Sequence, residues 1–396
     1  MLAYYSIVAY PNNMLSAKPR AILIDIIPPQ MNKRSAKRRL LELESLTKTY
    51  GGIVIIKIVQ KRAVPDYKTY IGKGKLEELI QLAKTEEVKL LIFNNQLKPH
   101  QLFEVEKLVE RDGMFVWDRI DLILKIFQLH ADTTEAKLQI RLAGIKHMGP
   151  RIFRMGLELS QQAGGIGTRG VGETNIEIMK RHLAEEERTI KKQLEKFANA
   201  RGLHRKRRNR IGFKTISIVG YTNAGKSSLL NALTNKGTYV ADELFATLDT
   251  RIAKLWIVKG AKVSTRDQRP ATRGYAEGFT VLLSDTIGFI QDLPPQLVEA
   301  FRSTLEETVE ADLILHVIDA GDPFIHEKIA EVEQVLSQLG VGDTPKIYVF
   351  NKIDLVKRLA RKTLSKKYAE HNPVFVSAVT KQGLDMLKDI LANELA

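Results

Sequence analysis

The sequence predicts an α/β protein in which two α/β domains with mostly parallel sheets flank a helical hairpin. Short apolar runs alternate with helix-like segments in the first third of the chain and again after residue 211, a pattern typical of βαβ units. The stretch between them is charged and poor in strand-forming residues. We assign residues 1–130 to an N-terminal α/β domain, 131–210 to the hairpin with a basic linker, and 211–396 to the second α/β domain.

The N-terminal domain is predicted to contain four strands and three helices. The strands are the short apolar runs Ala21–Ile27, Gly52–Val59, Lys89–Phe93 and Met114–Trp117. The helices between them are Asn32–Thr49, Lys75–Lys84 and Pro99–Arg111, where apolar residues recur at helical spacing.

The middle of the chain is predicted to form a helical hairpin. Residues Thr133–Leu159 have helical composition, with a break expected at Gly149–Pro150, and Glu173–Arg201 is helical again. Five glycines between Gly164 and Gly172 indicate a loop between the helices. The run Arg201–Arg210 contains six Lys and Arg residues, and we interpret it as a basic linker.

The second domain is predicted from strands KTISIVG, FTVLLSD, DLILHVID, KIYVFN and PVFVS with helices between them, among them Lys226–Leu233 and Gln296–Glu310. Its first strand is followed by the strongest motif in the chain, G-x-x-x-x-G-K-[ST], which opens a helix. A helix N-terminus with free N–H groups favours a phosphate, so we predict nucleotide binding here. The predicted contacts are Gly220, Tyr221, Thr222, Asn223, Ala224, Gly225, Lys226, Ser227 and Ser228.

Roles within this motif follow from chemistry. The ammonium of Lys226 would reach the β- and γ-phosphates, and the hydroxyl of Ser227 would bind Mg²⁺.

Asp285 and Gly288 form a D-x-x-G motif at the end of the strand FTVLLSD. Asp285 would hold Mg²⁺ through water, and the Gly288 N–H would meet the γ-phosphate. On its own, D-x-x-G is a weak signal, because Asp and Gly are common at the ends of strands.

Two further motifs predict guanine selectivity. Asn351, Lys352 and Asp354 belong to N-K-I-D, directly after a strand. The Asp354 carboxylate would accept from guanine N1–H and the 2-amino group, a pair of donors that adenine lacks. Ser377 and Ala378 end the last strand, where a backbone N–H would contact guanine O6. Four such motifs, each at a strand's carboxyl end, predict a guanine-nucleotide site.

A switch threonine that binds Mg²⁺ is expected between the phosphate loop and Asp285. Thr238, Thr247 and Thr250 are candidates, and the context of Phe245 favours Thr247; the alternative is a capping or turn threonine. We also assign Phe245 to the nucleotide pocket. The predicted catalytic set is Lys226, Thr247 and Gly288, and the predicted metal ligands are Ser227, Thr247 and, through water, Asp285.

Two positions bear on the rate of hydrolysis. Phe289 stands where small signalling GTPases have the glutamine that orients water, so intrinsic hydrolysis should be slow or use another group. Asn223 stands where cation-dependent GTPases have an asparagine that helps to hold K⁺ beside the phosphates. Its alternative interpretation is an ordinary loop asparagine.

Composition predicts the class of partner. The 396 residues include 61 Lys and Arg against 46 Asp and Glu, a net charge of +15, which favours nucleic acid first and an anionic membrane second. Thermophile-like surface charge is the alternative. The absence of cysteine excludes disulfides, thiolate zinc sites and cysteine nucleophiles. No signal peptide or membrane-spanning run is evident, so we expect a cytoplasmic protein with no membrane span.

Several stretches together resemble the HflX-type GTPases, in the translation-factor-related class of P-loop GTPases. They are the phosphate loop, Leu244–Thr250, Asp285–Ile290, Asp292–Phe301, Tyr70–Leu79, Gly164–Thr174 and Val116–Leu142. The resemblance implies GTP and GDP as ligands, a GTPase domain after the helical linker, and binding to the large ribosomal subunit. Bacterial members split or rescue stalled ribosomes, and ATPase activity is associated with the N-terminal domain of some.

The sequence also departs from that family. Asp249-Thr250-Arg251 lacks a proline and a threonine of the usual switch stretch, and Val258–Gly278 is a longer, basic connection. This connection is either a mobile RNA-contacting loop or a tolerated insertion. The resemblance is to an archaeal-like member of the family. The chain ends soon after its last predicted helix, and we expect it to be without the additional C-terminal domain of some bacterial members.

The remaining expectations concern partners. We expect a monomer whose run Arg205–Arg210 contacts rRNA by its phosphates, with the glycine loop entering a tight RNA cavity; solvated basic faces are the alternative. Tyr70–Lys75 is either a second phosphate cradle or a glycine turn into a helix. The rivals to a ribosome-associated switch are a GTP-driven RNA-processing factor and an RNA-binding scaffold with a regulatory nucleotide site.

Overall fold

The structure is a computed structural model that describes residues 18–162, 169–234, 244–245, 251–258, 278–292, 297 and 302–395. It divides into two compact units. The first ends at Leu129 and resumes over Arg141–Arg188; the second comprises His130–Ile140 and the chain from Thr189 onward. Both contain a sheet with helices, so the predicted α/β class is confirmed.

The first unit contains a four-stranded parallel sheet in the order β2-β1-β3-β4. Its strands are β1 Arg20–Ile27, β2 Ile53–Lys61, β3 Leu90–Phe93 and β4 Phe115–Trp117. Its helices are α1 Lys33–Thr49, α2 Lys73–Thr85, α3 Pro99–Val109 and α4 Arg119–His130, with a 3₁₀ turn at Glu110–Asp112. The four predicted strands and three predicted helices all occur, within a few residues of their predicted ends.

Burial explains the sheet order. The central strand β1 is buried along nearly its whole length, whereas every residue of the edge strand β2 is exposed or half-buried. A central parallel strand is covered on both faces and therefore reads as a continuous apolar run. Helix α1 begins at the predicted position because the Asn32 side chain accepts a hydrogen bond from Ser35 N at 2.7 Å.

Helix α4 was not predicted, because it has no polar face. Every residue from Arg119 to Phe127 is buried, so no amphipathic period marks the helix. Asp118 and Asp121 accept hydrogen bonds from each other's backbone N–H at its start. The imidazole of His147 lies 3.3 Å from one carboxylate and 3.4 Å from the other. Burial disfavours the imidazolium, but the two aspartates outweigh it and raise the pKa of His147 to about 11.

The long helices α5 Thr134–Gln162 and α6 Arg169–Ile211 replace three predicted irregular features. Helix α5 continues through Gly149–Pro150, because proline removes one backbone donor without forbidding the helix beyond it. Helix α6 already includes Gly170 and Gly172, since glycine costs a helix only about 1 kcal/mol. The predicted loop from Gly164 therefore ends earlier, and its residues 164–168 lie outside the described residues. The predicted basic linker Arg201–Arg210 is the last part of α6.

The second unit contains a six-stranded sheet in the order β10-β9-β8-β5-β7-β6. Its strands are β5 Lys214–Gly220, β6 Arg251–Val258, β7 Gly278–Asp285, β8 Leu313–Asp319, β9 Lys346–Asn351 and β10 Val374–Phe375. Its further helices are α7 Lys226–Thr234, α8 Arg302–Val309, α9 Ile325–Gln338, α10 Arg358–Lys367 and α11 Leu384–Leu395, with 3₁₀ turns at Ile353–Leu355 and Ala369–His371. Strand β6 pairs antiparallel with β7, and the other neighbours are parallel.

This topology brings the predicted motifs to one edge. Because β5, β7, β8, β9 and β10 are parallel, their carboxyl ends, and the loops that follow them, lie along the same side of the sheet. Below that edge, the core consists of alternating residues of β5 and β8 such as Ile216, Ile218, Leu315 and Val317. Among the described residues, no helix is both long enough and apolar enough to cross a membrane.

Candidate nucleotide-binding site

The loop between β5 and α7 depends on two glycines. Gly220 has φ +152°, and a β-carbon there would lie 2.2 Å from the carbonyl oxygen of Val317. Gly225 has φ +88°, and a β-carbon there would lie 2.2 Å from Nδ2 of Asn351. The first glycine lets the loop cross β8 closely, and the second lets it meet the loop after β9. The motif's glycines are therefore required by space as well as by backbone conformation.

Lys226 points into the loop that precedes it. Its ammonium donates to the carbonyl oxygens of Gly220 at 3.2 Å and Tyr221 at 2.9 Å, and its side chain is buried. Burial lowers the pKa of Lys226 to about 8, an effect that the charge of Asp285 opposes. The phosphate loop thus surrounds a buried cation, which is the group that a polyphosphate would bind.

Ser227 and Asp285 face each other. The Ser227 hydroxyl donates to Oδ2 of Asp285 at 2.6 Å, and Asp285 is fully buried. Asp285 is in turn placed by β7, whose register sets it opposite Ile218 of β5. A hydroxyl and a carboxylate are the hard oxygen donors that Mg²⁺ prefers. The donor set therefore fits the predicted magnesium ion.

The segment after β7 is attached to the phosphate loop through its backbone. Thr222 N donates to the Phe289 carbonyl oxygen at 2.8 Å, and Phe289 N donates to the Gly220 carbonyl oxygen at 3.1 Å. Gly288 lies between these bonds, where a β-carbon would be 2.7 Å from Thr222 Cγ2 and 2.9 Å from Lys226 Nζ. The backbone of Gly288 therefore lies against the phosphate loop, and its predicted hydrogen bond to the γ-phosphate stays a prediction.

Phe289 is a core residue, 1% exposed. We expect Phe289→Leu to keep most of the basal hydrolysis rate, because the side chain offers no polar group to a water molecule and leucine keeps much of its apolar volume. Lys226→Ala, in contrast, should abolish nucleotide binding. Single-turnover hydrolysis and circular dichroism of both variants test this. A folded Phe289→Leu protein as inactive as Lys226→Ala would refute the structural role of Phe289.

The loop after β9 is attached to the phosphate loop by side chains. Asn351 is buried; its Nδ2 donates to the Ala224 carbonyl oxygen at 3.0 Å, and its Oδ1 accepts from Ala378 N at 3.0 Å. Lys352, in the left-handed conformation with φ +61°, donates to the carbonyl oxygen of Asn223 at 2.7 Å. The side chain of Asn351 thus joins the loop after β9 to the phosphate loop and to the end of β10.

The predicted base-binding residues lie beyond this junction. Asp354 is exposed and belongs to the 3₁₀ turn Ile353–Leu355. Ile353 N donates to the Val376 carbonyl oxygen at 3.3 Å, which holds that turn beside the end of β10. Ser377 is buried and its hydroxyl accepts from Thr380 N at 3.1 Å. The turn leaves the Asp354 carboxylate accessible to a ligand.

Three family models match successive parts of the chain. They are described as "GTP-binding GTPase N-terminal" over residues 37–128, "GTP-binding GTPase Middle Region" over 130–208 and "50S ribosome-binding GTPase" over 215–352. GTPase HflX of Caldanaerobacter subterraneus subsp. tengcongensis is 42% identical over 378 residues, which cover 96% of this chain and 81% of that relative. The chain belongs to the HflX family of GTPases. The resemblance stated from the motifs is confirmed.

Other HflX proteins agree. GTPase HflX of Escherichia coli is 36% identical, covering 90% of this chain and 79% of that protein, and the Methanocaldococcus jannaschii protein is 34% identical, covering 91% and 83%. The crystal structure of the SsGBP and GDP complex has a TM-score of 0.51 at 26% identity and covers 96% of this chain and 99% of its own. As an HflX-family member, the protein is a GTPase.

The structure brings some of the predicted HflX site residues together, whereas others lie outside the described residues. It brings together the phosphate loop, Asp285, Gly288, Asn351, Lys352 and the backbone of Ala378. Thr247, and its rivals Thr238 and Thr250, lie outside the described residues. Phe245 is described, buried and in the left-handed conformation, with φ +60°, and its assignment to the nucleotide pocket stays a prediction.

Sequence reasoning missed Asp319 and the role of Thr222 in this HflX chain. Asp319, at the end of β8, forms a 2.8 Å ion pair with Lys352; its position at the end of a parallel strand was the available signal. The buried hydroxyl of Thr222 has no hydrogen-bond partner within the part of the chain that the structure describes. A buried polar atom without a partner at this position fits a loop that binds a ligand.

Proposed function

We propose that this HflX-family GTPase binds GTP and GDP at the four loops described above. The observation that carries the proposal is the double hydrogen bond of Asn351, which joins the phosphate loop to the end of β10. A ligand with a polyphosphate at one end and a guanine at the other would extend from the phosphate loop to the loops after β9 and β10. Asp354 would bind the base, and Lys226 would bind the phosphates.

In this proposal, Ser227 would bind Mg²⁺, Asp285 would hold it through water, and Thr247, which lies outside the described residues, would be a third ligand. When bound, the ion neutralises charge on the phosphates. Lys226 positions the β- and γ-phosphates and stabilises the charge that develops during transfer. The Gly288 N–H donates to the γ-phosphate. K⁺ beside Asn223 remains a prediction, tested by replacing K⁺ with Na⁺ in the hydrolysis assay.

Hydrolysis needs a water molecule oriented for in-line attack. Phe289 is buried and apolar, so its side chain cannot orient water, and the protein should hydrolyse GTP slowly unless another group assists. A partner that stimulates hydrolysis would make the protein a switch controlled by its nucleotide. We propose that this partner is the large ribosomal subunit, bound by its rRNA.

Charge on helix α6 supports an RNA partner. Inward-facing arginines are paired within the second unit: Arg201 and Arg205 each lie 3.2 Å from Glu306, and Arg208 lies 3.0 Å from Glu307. The predicted phosphate-contacting run Arg205–Arg210 is therefore split. Arg205 and Arg208 attach α6 to α8, so their positive charges are paired with glutamates of the protein itself.

Exposed cations lie on the other side of the same helix, and we call them the α6 basic face. They are Lys192, Lys196, Lys206, Arg207 and Arg210. At the 3.6 residues per turn of an α-helix they fall within roughly a 100° arc. Such a row suits a phosphate backbone. Ribosome splitting or rescue is the finer role that we propose, from the family resemblance.

Neutralising four cations of the α6 basic face should weaken binding to isolated large subunits and make it less sensitive to salt. We would replace Lys192, Lys196, Lys206 and Arg210 with Gln. If each contacts one phosphate, the log–log salt slope should fall by about 3. Co-sedimentation over a salt series, with GTP analogue, GDP and no nucleotide, measures the effect.

The matched control removes the same charge elsewhere, through Arg358, Lys362, Lys366 and Lys367, which are exposed on α10. Equal binding by wild type and both variants at every salt concentration would refute the rRNA proposal. Subunit binding without stimulated hydrolysis would favour an RNA-binding scaffold instead. Stimulation by a precursor RNA rather than by subunits would favour an RNA-processing factor.

A further inference from the structure

Strand β6 has an unusual outward face. Ala253, Leu255 and Ile257 point into the core and are at most 5% exposed. On the opposite face, Trp256 is 57% exposed. The other three outward-facing residues of the strand are Ile252, Lys254 and Val258. Outward positions of a half-buried strand are normally polar. Three large apolar side chains out of four therefore call for a partner.

Trp256 is held in place rather than projecting freely. A β-carbon on Gly278 of the neighbouring strand β7 would lie 2.7 Å from Trp256 Cζ2 and 2.8 Å from Cε2. The indole therefore lies against the backbone where glycine leaves room, which restricts its rotation. More than half of the side chain nevertheless remains exposed. The result is an aromatic surface that loses little conformational entropy when a ligand stacks on it.

The exposed charge beside this tryptophan on the described strand is positive. Lys254 lies on the same face, with its Nζ 6.0 Å from the ring centroid of the half-buried Phe213. Strand β6 contains no acidic residue. An exposed aromatic ring and a cation on one face match the two parts of a nucleotide, its base and its phosphate.

We propose that the outward face of β6 binds unpaired nucleotides of an RNA, with a base stacked on Trp256 and the adjacent phosphates contacted by Lys254. Stacking on an aromatic ring accepts any base, and cations follow the backbone, so this face binds with little sequence preference. Ile252 and Val258 extend the apolar surface beside the stacked base. An apolar protein segment would use the tryptophan but would gain nothing from the charge of Lys254.

This face is distinct from the nucleotide site and from the α6 basic face. It rests on the proposed function only in taking RNA as the partner, and it can be tested with a simple RNA and no ribosome. Among the described strands, β6 is the edge of its sheet and pairs with β7, so an extended RNA strand could approach it without displacing another described strand.

The test uses the fluorescence of Trp256 in the full chain. The protein has two tryptophans, so Trp117→Phe leaves Trp256 as the single reporter. Titration with single-stranded poly(U) should quench its emission, because a stacked base contacts the indole. In the otherwise wild-type chain, Trp256→Leu should weaken poly(U) binding about tenfold, measured by filter binding, while Trp256→Phe should weaken it less. Lys254→Gln should reduce the salt slope by about one.

Leu359→Ala, at a 77% exposed residue, serves as the matched control and should bind poly(U) like wild type. Retained GTP-analogue binding shows that each variant is folded. Absence of quenching, or equal binding by wild type and Trp256→Leu, would overturn the inference. So would a concentration-dependent dimer that Trp256→Leu abolishes, because a second copy would then occupy the face. Quenching by poly(U) in a protein that does not bind large subunits would retain this inference while refuting the proposed function.

Discussion

Asp354→Asn should weaken GTP binding by roughly 2–4 kcal/mol, or about 30- to 1,000-fold. In our proposal the Asp354 carboxylate accepts two hydrogen bonds from guanine, and an amide would present a donor to at least one of those donors. The variant should gain relative affinity for xanthine nucleotides, which carry an acceptor at that position. Isothermal titration calorimetry with GTP and XTP measures both effects.

The exposed position of Asp354 makes this test clean, because removing its charge leaves no buried group without a partner. Asp385→Asn, at a side chain that is 93% exposed on α11, controls for loss of one negative charge. Normal GTP affinity in a folded Asp354→Asn protein would show that the motif N-K-I-D does not bind the base here.

Asn351→Ala should reduce both stability and GTP affinity. The substitution leaves the Ala224 carbonyl and the Ala378 N–H without their partner, and each buried group left unsatisfied costs about 1–3 kcal/mol. The cost should divide between a lower free energy of unfolding and weaker nucleotide binding, since the phosphate loop and the base loop are no longer held together. Urea denaturation, with and without GTP, separates the two parts.

Asn199→Ala, at an exposed position of α6, is the control for that experiment and should change neither quantity by more than about 0.5 kcal/mol. If Asn351→Ala unfolds at the same urea concentration and binds GTP as tightly as wild type, the two hydrogen bonds contribute nothing to the site. Our account of how the loops are joined would then fail.

The parts of the fold that the sequence predicted are those with a strong local pattern. The parallel strands of both sheets are short apolar runs between charged helices, so they were visible. Helix α4 is buried on all sides and therefore has no period, and β6 was missed although Ala253, Leu255 and Ile257 alternate with outward residues. Its outward apolar residues obscured the alternation. The break predicted at Gly149–Pro150 was wrong, because turn-forming residues lower helix propensity without deciding it. The basic linker was wrong because Lys and Arg are good helix formers.

At the site, motif spacing predicted which loops converge but not how they are joined. The Asn351 bridge depends on the absence of a side chain at residue 225, because a β-carbon there would lie 2.2 Å from Asn351 Nδ2, and only three-dimensional packing defines that closeness. The division of the α6 arginines into paired and exposed sets likewise depends on where Glu306 and Glu307 lie, about 100 residues further along the chain. Charge composition counts cations alike whether or not they have a partner, so it could not make this distinction.

The crowding at Gly288 affects how this protein can diverge over evolutionary time. No side chain can be added at 288 without pushing Thr222 and Lys226 aside, whereas the hydrogen bonds of residue 289 to the phosphate loop are made by its backbone. In the proposed site, the group that binds the γ-phosphate is the backbone N–H of Gly288, which no side-chain substitution replaces. The neighbouring side chain of Phe289 belongs to the core, so it can change only to apolar residues of similar volume. Natural selection can therefore vary residue 289 within the limits of core packing, while the group that distinguishes one nucleotide state from the other stays the same.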